Sequence, residues 1–123
     1  MPELPEVETT RRGIAPHVVG RRLEGAVVRD HRLRWPVTPG LGARLAGRTV
    51  AAVDRRGKYL LLGLDDASSV LVHLGMSGSL QITACARAPA AHDHVDLLLG
   101  EARCLRLHDP RRFGAVLWTP DPA

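Results

Sequence analysis

Leu4, Val7, Arg11, Ile14 and Val18 recur at steps of three or four residues, and four of these five are apolar, so the chain opens with one apolar stripe at helical spacing. Pro2 and Pro5 suit a first helical turn, where a missing N–H costs little. Glu3, Glu6 and Glu8 crowd the positive end of the helix dipole. The pattern predicts a helix from Glu3 to Val18, with a break near Pro16. Short apolar runs follow, separated by Gly, Asp and Pro. They predict strands over Gly25–Asp30, Thr49–Arg55, Tyr59–Leu64, Val70–Leu74, Ser79–Thr83, His94–Leu99, Arg103–His108 and Ala115–Thr119. In Arg103–His108, Arg103, Leu105 and Leu107 alternate with Cys104, Arg106 and His108, which predicts a wetter face on that strand. A short helix is expected within Gly40–Arg48 and a mobile loop at Ala84–Ala91. Eight short strands at this spacing predict a mainly β, α+β fold: an antiparallel sandwich or barrel with an N-terminal helix and a short second one.

The length of 123 residues allows one core and one domain. No apolar run approaches the roughly 20 residues of a membrane span. The acidic opening lacks an apolar signal core, so a cytoplasmic protein is expected. Cys85 and Cys104 form no Cys-x-x-Cys pair and are expected to be reduced, partly buried thiols. A net charge of +4 favours a polyanionic partner, while 3% aromatic residues argue against a base-stacking platform for single strands. Of the 17 basic residues, Lys58 alone is lysine. Lysine can release its proton and arginine cannot, so Lys58 is a candidate for chemistry rather than charge alone.

Four segments could carry chemistry. If Met1 is removed, Pro2 becomes a secondary amine able to form an iminium with an aldehyde-level carbon, and Glu3 beside it could move protons. A plain helix start explains the same residues. On a regular strand His92, His94 and Asp96 would share one face and could bind zinc or iron, which keeps a metal-dependent hydrolase in view beside a hydrogen-bonded strand edge. In His73-Leu74-Gly75-Met76-Ser77-Gly78-Ser79 the glycines permit a tight path that could expose Met76 as a wedge between bases, or fold it inward. Asp109-Pro110-Arg111-Arg112-Phe113-Gly114 places two cations beside a ring, suited to a phosphate and an opened base step, or else to a basic hairpin with Phe113 in the core.

Taken together with Arg56-Gly57-Lys58-Tyr59-Leu60, these segments occur in the order seen in formamidopyrimidine-DNA glycosylases, and the resemblance runs from Pro2 to about Trp118. Leu4 favours this branch over the related endonuclease VIII branch, which usually has Gly there. The resemblance implies a two-sheet β-sandwich of about eight strands flanked by helices. It implies a bifunctional glycosylase and abasic-site lyase removing oxidised purines such as 8-oxoguanine and formamidopyrimidines. In that reading Pro2 is the Schiff-base nucleophile, Glu3 the proton donor in base release and Lys58 the proton donor in β-elimination. His92 and Arg111 contact DNA; Met76, Arg111 and Phe113 fill the gap left by the flipped nucleotide; Glu6 lies close to the damaged base. The partner is double-stranded DNA carrying oxidised purines or abasic sites, with no membrane and no obligate protein partner.

The family continues with a helix–two-turn–helix domain and a zinc finger. Residues 1–123 are therefore expected to be the N-terminal catalytic domain alone, with no metal or cofactor of its own and little independent activity. A non-catalytic DNA-binding fragment remains an alternative.

Overall fold

The computed structural model describes residues 4–75 and 77–120. The opening stripe forms helix α1, Leu4–Val18, with Val7, Ile14 and Val18 buried. The break expected at Pro16 is absent: the helix continues through it to Val18. Pro16 lies in the last turn, and the complete burial of Val18 anchors the end that the missing N–H weakens.

Eight strands follow among the described residues: β1 (Gly25–Val28), β2 (Val50–Arg56), β3 (Tyr59–Leu64), β4 (Ser69–His73), β5 (Ser79–Ala84), β6 (Asp93–Gly100), β7 (Arg103–His108) and β8 (Ala115–Thr119). A short helix α2, Leu41–Leu45, sits between β1 and β2, inside the expected span. The strands form two antiparallel sheets, ordered β1-β6-β7-β5 and β2-β3-β4-β8. Of the two architectures left open by strand spacing, the sandwich is the one formed. Leu60, Leu62 and Leu64 alternate inward from β3, and Val95, Leu97, Leu99, Leu105 and Leu107 do so from β6 and β7, joining one core with α1 and α2. No helix among the described residues is long and apolar enough to cross a membrane.

The wetter face expected on β7 is dry at Cys104 and Arg106; His108, at the end of the strand, is partly exposed. Cys104 and Arg106 are as buried as Leu105 and Leu107. β7 is an inner strand, and the segment after β5 lies over its second face. The Cys85 N–H donates to the Ala102 carbonyl (2.7 Å), and Arg106 Nη1 donates to the Arg87 carbonyl (3.0 Å). The loop expected to be mobile is thus exposed along most of its length but pinned to the sheet.

Burying Arg106 is possible because Asp96 stands directly across from it on β6. Arg106 donates through Nε to Asp96 Oδ1 (2.9 Å) and through Nη2 to Oδ2 (3.0 Å), and Arg29 Nη2 adds a third bond at 2.7 Å. Burial pushes the Asp96 carboxyl upward, but the bonds from Arg29 and Arg106 outweigh it and hold the group below its ordinary range.

Candidate functional site

The turns at one end of the sandwich come from both sheets. Arg56 pairs with Tyr59, so Gly57-Lys58 is a two-residue hairpin loop. Gly57 takes φ 60°, the positive value such a turn needs at its first central position. Tyr59 pairs with His73, and His73 with Ala115, so the segments 74–78 and 109–114 leave the sheet at that same end. In the other sheet Ser79, His108 and Asp93 are neighbours, which brings His92 there as well. Helix α1 also begins at this end. Its last turn lies beside the start of β2, through Gly20 N–H to the Val50 carbonyl (2.8 Å), while Glu8 meets Arg55 near the finish of β2 (3.2 Å). Pro2, Glu3 and Met76 lie outside the described residues; the sequence joins Pro2 and Glu3 directly to the first residue of α1.

Asp109 organises this end. It is fully buried; its Oδ2 accepts from the Gly114 N–H (2.8 Å) and its Oδ1 from the Arg112 N–H (3.1 Å). Its own N–H donates to the His92 carbonyl (3.0 Å), and its carbonyl lies 3.1 Å from Nε2 of the buried His94. That contact with an acceptor means Nε2 carries the proton. Burial, then the nearby Arg112 charge, push His94 below the ordinary histidine range, so it stays neutral. The Asp109 carboxylate therefore shapes the 109–114 turn, and the Asp109 main chain ties that turn to the segment bearing His92.

The turn presents Arg111 and Phe113 to solvent. Phe113 is 40% exposed, and the Arg111 guanidinium lies 5.0 Å from its ring centre. Among the described residues Arg111 meets no carboxylate, whereas its neighbour Arg112, at φ 57°, turns back to pair with Asp30. Of the two adjacent cations, one is neutralised and one is offered outward. The alternative of Phe113 as a core residue is excluded by its exposure.

The 73–78 loop packs on this turn. A Cβ at Gly75 would stand 2.6 Å from the Phe113 carbonyl carbon and 2.7 Å from the Gly114 nitrogen, and Gly75 takes φ 64°. Only glycine tolerates both conditions. His73 Nδ1 accepts the Gly75 N–H (2.9 Å), and its ring meets Tyr59 edge-on at 4.9 Å. Burial first, then the Arg34 and Lys58 charges, hold His73 below its ordinary range. Lys58 is thus electrostatically coupled to the root of the loop that carries Met76.

His92 is exposed with φ 71° and precedes β6. His92 and His94 rings stand 5.9 Å apart, but Asp96 does not join them. A register shift between Asp93 and Val95 breaks the simple alternation, and both Asp96 oxygens are taken by arginines. Among the described residues no group of three His, Cys, Asp or Glu side chains could hold a metal ion. The shared face that regular alternation would give His92, His94 and Asp96 is not formed. Glu6 is exposed on the first turns of α1. Sequence reasoning placed His73 and Asp109 at the starts of two singled-out segments but gave their side chains no role, and it missed Asp30 altogether.

The profile of the formamidopyrimidine-DNA glycosylase N-terminal domain matches residues 1–116. The formamidopyrimidine-DNA glycosylase of Acidithiobacillus ferrooxidans is 61% identical over 121 residues, 98% of this chain and 44% of that protein. The one from Thioalkalivibrio sulfidiphilus is 59% identical over 123 residues, 100% of this chain and 45% of its own. Among solved structures, the Lactococcus lactis enzyme bound non-covalently to DNA containing an abasic site superposes with a TM-score of 0.86 at 31% identity, over 95% of this chain and 45% of that one. The wild-type Lactococcus lactis protein in complex with DNA containing N7-benzyl-Fapy-dG gives 0.87 at 31%, over 96% and 44%. The chain spans less than half the length of the relatives it matches.

Proposed function

Because the chain belongs to the formamidopyrimidine-DNA glycosylase N-terminal domain family, we propose that it is the catalytic part of a base-excision enzyme acting on oxidised purines and abasic sites in duplex DNA. The observation that carries this reading is convergence. The start of α1, the Gly57-Lys58 turn, the 73–78 loop, His92 and the 109–114 turn meet at one end of the sandwich.

In this reading the damaged nucleotide leaves the stack, at a cost of about a few kcal/mol, because a duplex hides its reacting sugar carbon. Phe113, Arg111 and Met76 occupy the opened step and offset part of that cost. Pro2, freed of Met1, attacks the exposed sugar carbon through its nitrogen as the base departs with a proton supplied by Glu3. The proline nitrogen then loses its proton and the sugar's ring C–O bond opens, the ring oxygen taking up a proton, to leave an iminium. This acidifies the neighbouring carbon, and loss of that carbon's proton expels the 3′ phosphate, with Lys58 as proton donor in the elimination. His92 and Arg111 hold the DNA, and Glu6 lies near the damaged base. No metal enters any step. The setting is the bacterial cytoplasm, at the nucleoid.

Borohydride trapping tests the assignment. Joined to the C-terminal remainder of a full-length relative, and with Met1 removed, the chain is expected to give a covalent adduct with abasic DNA that maps to Pro2. Lys58→Ala should slow elimination yet still trap, and retention of Met1 should abolish trapping. An adduct on Lys58, or full trapping with Met1 attached, overturns the roles. Absence of any adduct favours the non-catalytic DNA-binding reading.

A further inference from the structure

Away from the DNA-facing end, two sulfurs meet. Cys104 lies on β7, buried, and its S–H points at Cys85 Sγ across 2.8 Å. Cys85 sits in the turn after β5 and is only partly covered. The approach is built by the sheet. Thr83 pairs with Cys104 and Ala84 with Arg103, and the Cys85 N–H then closes on the Ala102 carbonyl (2.7 Å). Cys85 therefore stands diagonal to Cys104, two residues beyond its partner Thr83 and on the same face, and the sulfurs, at 2.8 Å, need to close by less than about 1 Å to reach the roughly 2.05 Å of a disulfide bond.

We propose that Cys85 and Cys104 form a modification site, a thiol pair that a low-molecular-weight disulfide converts reversibly into an intramolecular disulfide bond.

The two sulfurs have different parts. Burial, the contact with Cys85 and the Asp96 carboxylate push the Cys104 thiol up to about 12, so it is a poor first nucleophile. Cys85, the more accessible sulfur, attacks one sulfur of the oxidant as a thiolate. The oxidant's S–S bond breaks, one of its halves leaves as a thiol, and Cys85 carries a mixed disulfide. Cys104, already in contact, then attacks Cys85 Sγ. The second half leaves and takes up the proton that Cys104 loses. Two protein thiols are oxidised by two electrons, and one small disulfide is reduced to two thiols. The product fastens the turn covering Arg106 to the strand beneath it, closing residues 85–104 into a ring.

The test is to incubate the folded chain with oxidised glutathione, alkylate the remaining thiols and map the unreduced peptides. The expected result is one linked peptide pair joining Cys85 to Cys104, a mass lower by about 2 Da than the dithiol form, and full reversal by a reductant. A lasting glutathione adduct on Cys85 with Cys104 still alkylatable, or disulfides linking separate chains, overturns the proposal. Cys85→Ser checks the order of attack, because it should slow loss of the Cys104 thiol by at least roughly tenfold. Loss at an unchanged rate rejects Cys85 as the entry point. The wild-type map alone decides whether the bond forms, even if this variant folds poorly.

Discussion

Arg106 and Arg111 carry the same side chain and stand close together in sequence, one on β7 and the other in the turn just beyond it. Arg106 is 4% exposed and holds Asp96 with two hydrogen bonds. Arg111 is exposed and rests on the Phe113 ring. The first guanidinium is consumed by the fold, and the second is left for something outside it. Residue type does not separate them; strand register and the position of the covering loop do. The general lesson is that in an arginine-rich chain, function is sought where a cation lacks its own carboxylate and the backbone beneath it is held rigidly, as Asp109 holds the 109–114 turn.

The largest effect should come from cutting the buried pair. Arg106→Met keeps length and removes charge, leaving Asp96 buried with Arg29 as its remaining ion-pair partner. Removing one partner costs about 3–5 kcal/mol when the other charge is left uncompensated; with the Arg29 bond retained, a loss of about 2–3 kcal/mol is expected. Urea unfolding should show a loss of that size. A loss under about 1 kcal/mol would mean that Arg106 is as dispensable to the fold as a surface cation, and the contrast with Arg111 would fail.

Acid separates the two regions in a graded way. His73 and His94 support the end that carries the 73–78 loop and the 109–114 turn and are held below their ordinary range, both by burial first. Their contribution is therefore fully present above the unfolded histidine value of about 6.5 and is lost as pH falls through their folded values. Protonating His73 also removes the acceptor for the Gly75 N–H. Asp96 is likewise depressed, so its contribution is present above about 3.9 and is lost only as pH falls through its lower folded value. Unfolding free energy should decline first as pH falls below about 6.5, and again as it falls below about 3.9. Arg106→Met should blunt the second decline and spare the first. A single decline confined to the carboxylate range would remove the histidines from the account.

Much of this architecture was legible in the chain. The strands Tyr59–Leu64, Arg103–His108 and Ala115–Thr119 have the expected ends because turn residues bound each apolar run. What escaped was pairing between distant segments. Polar alternation at 104, 106 and 108 reads as a wet face until β6 places Asp96 opposite Arg106 and the 85–91 segment covers both. His92, His94 and Asp96 read as one face until a bulge alters the alternation. The site segments were recognisable as motifs, and their common end of the sandwich follows from register that no local pattern encodes. Asp30, which neutralises Arg112 and so leaves Arg111 as the outward cation, carries no sequence signal at all. Pro2, Glu3 and Met76 keep their roles as proposals that rest on the resemblance.

The smallest expected effect on stability is the sharpest test of the comparison. Arg111→Ala should change unfolding free energy by no more than about 0.5 kcal/mol, because its guanidinium covers a half-exposed ring and meets no buried charge. Its effect should appear instead in a DNA titration, as an affinity loss of roughly tenfold, on the order of 1–3 kcal/mol for a cation inserted at a base step. Arg103→Ala is the matching control. Arg103 is also exposed and begins the same strand, at the end of the sandwich opposite the 109–114 turn. Both variants remove one positive charge, so any general attraction between a basic protein and a polyanion falls equally in the two. A position-specific contact lowers affinity only for Arg111→Ala, and the difference between the variants measures it. Equal losses would mean that the outward guanidinium contributes charge alone, and the separation of Arg106 from Arg111 would describe the fold without locating the DNA.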